Sequence, residues 1–268
     1  MDGIGKQSMI KIAEITAKSI LNKSKIYDYC VNVYTGCQVN CRYCYARLFM
    51  ARYSDHSEPW GSFVDVKVNA PEVLAKQAAK AKRGVVWISS VCDAYQAVEE
   101  KYGLTRTCLE ILAAARFPVS VQSKSVLLLR DIDVFRRFEE FEAGFTITTD
   151  DERISRLFEP GASSVAERLA ALAILKSRGI RTFAFIGPIL PGNPEALISA
   201  LHGKADRVLI DRMNYMDTIQ EFYRRHNLAY AMEPAFFISQ TRRLVAELKK
   251  RGMAYEVTWG REVHPSLG

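Results

Sequence analysis

The chain has 268 residues, 49% of them hydrophobic and 25% charged, the balance of a soluble globular protein long enough to bury a large core. No stretch approaches the ~18 apolar residues of a membrane span, and no charged-then-apolar leader with a cleavage site opens the sequence, so a cytoplasmic protein with no membrane partner is expected. The formal charge of +7 favours anionic partners, nucleic acid among them, and six cysteines, clustered rather than evenly spread, favour metal chemistry in a reducing compartment over a disulfide framework.

Residues 1–28 interleave Lys6, Lys11, Lys18, Lys23 and Lys25 with Ile10, Ile12, Ile15, Ile20 and Leu21. They read as a basic N-terminal leader, either a solvated arm or a short amphipathic helix. The run YCVNVYTG (29–36) has the β-branched and aromatic content of a strand, and Gly36 stops it. Directly after it come Cys37, Cys41 and Cys44, spaced C-x3-C-x2-C. A loop of eight residues can turn all three sulfurs inward, and soft thiolates select zinc, copper(I) or an iron-sulfur cluster. Three ligands are one short of a closed zinc site or a saturated cubane, so an open position is implied. A zinc site completed by Cys30, His56 or another remote ligand meets the same spacing.

Residues 45–53 read as a helix after the cysteines. A polar loop (54–62) and an extra strand (64–68) follow, then a helix opened by Pro71 and ended by Gly84. From there strands and helices alternate: strand 85–91, helix 105–116; strand 118–123, helix 131–140; strand 144–148, helix 163–178; strand 181–187, helix 194–202; strand 207–211, helix 217–226. Six strand-helix units with near-continuous apolar strands imply a parallel sheet covered by helices, either an open doubly wound sheet or a partial barrel. In both, ligands bind beyond the C-terminal ends of the strands. Residues 234–251 add a C-terminal helix and 255–259 a short extra strand. The chain thus divides into the leader, a barrel unit at 29–230 and an extension at 231–268 packed on it.

The spacing Cys37-x3-Cys41-x2-Cys44, with the aromatic Tyr43 before the last cysteine, resembles the signature of the radical S-adenosylmethionine (radical SAM) enzymes. The surrounding Lys18-Ser19-Ile20-Leu21, Tyr34-Thr35-Gly36 and Cys44-Tyr45-Ala46-Arg47 resemble one branch, the spore photoproduct lyase-like proteins, over about residues 16–230. The resemblance implies a partial (β/α)6 TIM-like barrel. It also implies that the three thiolates hold a 4Fe-4S cluster whose fourth iron takes S-adenosylmethionine. An external one-electron donor, flavodoxin- or ferredoxin-like, would supply the reducing electron.

Further residues follow from the same resemblance. Asp93-Ala94-Tyr95-Gln96, with Leu104-Thr105-Arg106 behind it, is similar to a T-D-P-Y-Q block of the branch, departing from it at Cys92 and Ala94. Asp93, Tyr95 and Gln96 are candidates for substrate binding, against the plainer reading of a helix-capping loop. Lys124, within Ser123-Lys124-Ser125, is a charge at a strand end that packing does not explain, and it is assigned to the S-adenosylmethionine carboxylate. Arg130 and Asp131 read as a structural pair or cap. Thr146 and Thr148 alternate onto one side of their strand and suit a ribose. Gly187-Pro188-Ile189-Leu190-Pro191-Gly192 resembles a G-x-I-x-G-x-x-E pattern with one residue inserted, placing Gly187 close to the cofactor and Ile189 against adenine, with Tyr43 on the adenine's other face.

The branch's best-known activity reverses a thymine-dimer photoproduct in DNA and uses an additional cysteine to return a hydrogen atom. Cys92 is the candidate here, two residues past the matching position, which Ser90 occupies. The expected substrate is a nucleic-acid lesion or nucleotide. The alternatives are a radical enzyme acting on a small molecule, peptide or tRNA, and a non-enzymatic zinc-stabilised binding module.

Overall fold

The structure is a computed structural model that describes residues 10–54 and 56–259, without the side chains of 51–53. Its main sheet has eight strands, and the order of pairing retraces the chain. Strand β1 (Lys11–Ile15) lies outside it. Strand β2 (Leu21–Lys23) forms one edge, antiparallel to β3 (Tyr29–Val31). A short β4 (Tyr34–Thr35) leads into the cysteine loop, helix α1 (Ala46–Tyr53), β5 (Phe63–Lys67) and helix α2 (Ala70–Ala78). Strand β6 (Val86–Ile88) pairs parallel with β3, and is followed by α3 (Val98–Tyr102) and α4 (Leu104–Ala114).

Next come β7 (Val119–Ser123), a 3-10 turn at Val126–Asp131, the short α5 (Ile132–Phe135) and β8 (Phe141–Thr146). Helices α6 (Glu152–Phe158) and α7 (Val165–Ser177) lead to β9 (Arg181–Ile186), and α8 (Pro194–Leu201) leads to β10 (Arg207–Ile210). Helices α9 (Gln220–Arg225) and α10 (Pro234–Lys250) then return the chain to β11 (Ala254–Val257), which extends the sheet parallel to β10. The sheet order is β11-β10-β9-β8-β7-β6-β3-β2. Six parallel strands bear the repeated units and β11 is the seventh, so the architecture is the expected partial barrel with a C-terminal helix and one extra strand.

The strands are apolar on both faces, as parallel strands covered by helices must be. In β7, Val119, Ser120, Val121 and Ser123 are all buried; in β9, Thr182, Phe183, Ala184 and Ile186 are. Helix ends are written locally. Ser164 and Glu167 form a capping box at the start of α7, Asn193 caps α8 ahead of Pro194, and Asp151 caps α6. Helix α4 nearly fills the expected 105–116, and Gly103, at φ 61°, separates it from α3, which was not anticipated. The helix expected at 131–140 is cut to the short α5, and the region after β7 is spent mainly on the 3-10 turn. Helix α6 was not anticipated.

The first 28 residues need correction over the part described. Residues 11–23 are neither a helix nor a free arm. Strand β1 pairs parallel with β5, which also pairs antiparallel with β4 to give a second, three-stranded sheet. Asn69 clamps the backbone of Ala17 through both ends of its amide (2.8 and 3.0 Å), and Gln77 accepts from the N–H groups of Ile20 and Leu21. Those hydrogen bonds satisfy a segment whose lysines had suggested solvation. Residues 1–9 and 260–268 lie outside the described residues. No described helix is long and apolar enough to cross a membrane.

Candidate functional site at the C-terminal ends of the strands

The cysteine loop begins where β4 leaves the main sheet to pair with β5. Gly36 makes that departure possible: its φ is +84°, and a Cβ there would fall 2.3 Å from the carbonyl oxygen of Phe63. Cys37 and Cys41 are buried and Cys44 is half-buried; all three are free thiols. Two segments clamp the loop. On one side Gln96 accepts from the N–H of Gln38 (2.8 Å) and donates to the carbonyl of Gly36 (3.2 Å), while Gln38 accepts from the N–H of Val98. On the other, Arg42 N–H donates to Phe158 O and Gly161 N–H to Val39 O. A side chain at Gly161 would meet the carbonyl of Gln38 at 2.4 Å, so only glycine allows this approach.

Burial dominates the acidity of the three thiols. It pushes Cys37 well above the ordinary thiol range, with Asp93 adding to it; it pushes Cys41 up to about 12 despite Lys124, and it raises Cys44. Neutral thiols are the expected state without metal, and a bound cation would draw off their protons.

Beyond the loop, the carboxylate of Asp93 ties β6 to β7. It accepts from Ser123 Oγ (2.6 Å), from the backbone N–H of Lys124 (2.7 Å) and from that of Tyr95 (2.9 Å). The N–H of Asp93 itself donates to Cys37 Sγ at 3.3 Å. One short segment therefore sets both the first cysteine and the lysine. The Lys124 ammonium stands 5.8 Å from the centre of the Tyr43 ring. It makes no hydrogen bond or ion pair among the described residues. Burial works against its charge, but Cys41, Glu159, Asp93 and Cys44 outweigh that and hold its pKa above the ordinary lysine value.

Tyr43 points the other way, donating its hydroxyl to Glu159. Glu159 is buried and also accepts from Thr148 Oγ1 (3.2 Å), Ser155 Oγ (3.4 Å) and Arg168 (2.8 Å). Arg168, fully buried, further donates to Thr146 O and Ser155 Oγ, both at 2.6 Å.

A family model described as the radical SAM superfamily matches residues 31–202, which span this loop, Lys124 and the Glu159 network. The chain belongs to the radical SAM superfamily. It is 40% identical over 186 residues to an uncharacterized protein of Methanocaldococcus jannaschii, covering 69% of this chain and 70% of that protein. Among solved structures, spore photoproduct lyase complexed with dinucleoside spore photoproduct superposes with a TM-score of 0.70 at 14% identity, over 92% of this chain and 82% of that one. SuiB of Streptococcus suis, bound to precursor peptide SuiA, superposes with a TM-score of 0.58 at 11% identity, over 97% and 52%. At such identities the two structures establish a shared fold. Membership of an enzyme superfamily sets aside the zinc-stabilised binding module.

A radical SAM protein implies S-adenosylmethionine and an iron-sulfur cluster, and the donor set suits the cluster. Cys37 and Cys41 form a buried group with Val39, flanked by the half-buried Cys44 from the same loop and by Tyr43, Trp60, Cys92 and Ala162. Among the described residues no group of three His, Cys, Asp or Glu side chains is already gathered to hold a metal ion. His56, a candidate remote ligand, is engaged elsewhere: its ring nitrogens lie 2.9 Å from Glu58 and 2.9 Å from Asp65.

The other candidate residues from the sequence have these surroundings in the structure. Asp93, Tyr95 and Gln96 were expected at the substrate. Asp93 and Gln96 instead spend their polar atoms on the architecture just described, and Tyr95 is wholly buried in the core with its ring hydroxyl against Asp131. Thr146 and Thr148 were expected at a ribose. They are buried, with Thr146 Oγ1 accepting from Gln122 (2.9 Å) and Thr148 Oγ1 donating to Glu159. Ile189 is packed in the core, its N–H donating to Asp211 O. Gly187, in a cis peptide bond with Pro188, fits closely against the Phe185 ring, which a Cβ would meet at 2.3 Å. Cys92 does lie beside the cysteine group, its thiol facing Tyr34 O and Ser89 Oγ. Arg130 and Asp131 form the expected structural pair (2.8 Å), joined by Glu99.

The outer rim of the site is aromatic. Tyr45, directly after Cys44, donates its hydroxyl to Ser90 O and stacks on Tyr215, ring centres 6.5 Å apart at 27°. Phe49 meets Tyr215 edge-on, and both tyrosines are exposed. Arg47 reaches Thr218 O across the rim, and the guanidinium of Arg212 lies over Trp259. Sequence reading missed this rim and the Glu159–Arg168 pair. The available signal lay in Leu157-Phe158-Glu159-Pro160-Gly161 and Glu167-Arg168-Leu169, two stretches that contain both charges and also resemble the branch.

Proposed function

We propose that the protein binds S-adenosylmethionine against a 4Fe-4S cluster held by Cys37, Cys41 and Cys44, and uses it to remove a hydrogen atom from a nucleic-acid lesion or nucleotide. When bound, the reduced cluster and cofactor supply a 5′-deoxyadenosyl radical. The observation that carries this reading is Lys124. An ammonium beside Cys41 and Tyr43 that makes no ion pair among the described residues is a ready partner for the cofactor's carboxylate.

The chain's part is to place and to shield. Asp93 holds the backbone of Lys124, and Glu159 holds the phenol of Tyr43 beside the cofactor. We assign to Cys92 the return of a hydrogen atom. Burial pushes its pKa up to about 11, which keeps it an S–H, the form able to give one. An external flavodoxin- or ferredoxin-like donor is the proposed electron source, in a reducing cytoplasmic compartment.

Support for the substrate class comes from the rim. Exposed Tyr45 and Tyr215 offer flat faces, with Arg42 and Arg212 exposed nearby in sequence and a net charge of +7. Bases stack on such aromatic surfaces and phosphates seek such charge. The reading is tested by anaerobic turnover with a perdeuterated oligonucleotide carrying ultraviolet lesions. Deuterium in the released 5′-deoxyadenosine is expected. Release without deuterium, combined with label transfer from a deuterated peptide, would contradict the substrate class.

A further inference from the structure

Beside the cysteines a second donor has no partner. Trp60, in the loop between α1 and β5, packs against the group formed by Cys37, Val39 and Cys41, and stands edge-on to Phe63 at 6.2 Å. Its indole Nε1 is buried and finds no hydrogen-bond partner among the described residues. An indole N–H can only donate, and leaving it buried and unpaired is unfavourable. An acceptor belongs there.

Placement of the ring is fixed from both sides. Gly61 has φ +93°, and a Cβ on it would fall 2.2 Å from the side chain of Asn40, itself left-handed at φ 53° in the middle of the cysteine loop. The Trp60–Gly61 segment is thus pressed directly onto the Cys37–Cys44 loop. Behind it, Ser62 N–H and Oγ both donate to Pro59 O (3.0 and 2.6 Å), and Lys11 N–H donates to Ser62 O. The His56 ring stacks on Phe63 at 3.8 Å. The segment is a braced cover over the thiols.

Resting on the radical SAM reading, we infer that Trp60 donates its indole N–H to a sulfur of the cluster held by Cys37, Cys41 and Cys44 and thereby raises its reduction potential. Such a bond draws electron density from sulfur and favours the reduced, more negative state. Asp93 N–H, already directed at Cys37 Sγ, acts in the same sense from the opposite side of the loop. Trp60 is thus assigned a tuning role, exerted through its N–H on the cluster.

The test compares Trp60→Phe with wild type, both reconstituted without oxygen and titrated with redox mediators while the reduced-cluster EPR signal is followed. Phenylalanine keeps an aromatic ring and removes the N–H. Full iron content with a more negative midpoint potential is the expected result; full iron with an unchanged potential would overturn the inference. Because a smaller ring can loosen the loop, benzothienylalanine placed at position 60 provides a second variant, with sulfur in place of N–H and the bicyclic shape retained. It too should shift the potential downward, and a wild-type value in that variant would overturn the inference. Wild-type protein that forms no iron-sulfur cluster would instead defeat the underlying radical SAM reading, which separates the two failures.

Discussion

The hydroxyl of Tyr43, between two of the three loop cysteines, donates to the carboxylate of Glu159, which is paired at 2.8 Å with a fully buried Arg168. A charge pair this deep gains its strength from mutual satisfaction. Removing one member leaves the other uncompensated, at a cost of roughly 3–5 kcal/mol. Glu159→Ala should therefore lower the Tm of the metal-free protein by roughly 6 °C or more. Tyr43→Phe removes a single donor and should cost about 1–3 kcal/mol. Thermal unfolding followed by circular dichroism measures both, and equal effects from the two variants would contradict the assignment of the buried pair as anchor.

Lys124→Met keeps much of the side-chain volume and removes the ammonium. With the cluster fully assembled, S-adenosylmethionine affinity should fall at least about 30-fold, the equivalent of roughly 2 kcal/mol for losing one partner of a desolvated charge pair. Equilibrium binding under anaerobic conditions measures it, and wild-type affinity would remove Lys124 from the cofactor site.

Gly161→Ala places a methyl group against the backbone of Gln38 and Val39, where no flexible side chain can yield. The cysteine loop must shift. Iron retained after reconstitution should drop while the circular dichroism of the fold stays close to wild type; full retention would show that the contact does not set the loop.

The fold was legible because its signal is repetitive. Strands such as β8 and β9, each followed by a capped helix, repeat the same pattern, and six repeats leave little choice of architecture. The cysteine ligands were legible for a similar reason, since their spacing lies within eight consecutive residues. What did not show was partnership across the chain. Gln96 looks like a substrate residue until its two amide contacts with Gly36 and Gln38 are known, and Glu159 and Arg168 look like ordinary helix charges until both are found buried. Lysines in residues 11–23 suggested a solvated arm because β5, the strand partner of β1, lies far along the chain.

His56 gives the protein a pH dependence independent of the cluster. Burial opposes its charge, but hydrogen bonds to Asp65 and Glu58 outweigh that and hold its pKa above the usual histidine value. A raised folded-state pKa stabilises the fold fully below the ordinary value of about 6.5, and this contribution is lost as pH rises through the folded-state pKa. The Tm of the metal-free protein should fall over that interval, and His56→Gln should flatten the slope. An identical slope in the variant would place the effect elsewhere.

The central claim is tested most directly by iron, sulfide and 5′-deoxyadenosine assays on anaerobically reconstituted protein given dithionite and S-adenosylmethionine, with Cys41→Ala alongside. About four irons and four sulfides per chain, with 5′-deoxyadenosine released by the wild type and both cluster and product lost in Cys41→Ala, is the predicted result. Zinc in place of iron with no 5′-deoxyadenosine, or full iron content retained in Cys41→Ala, would contradict it.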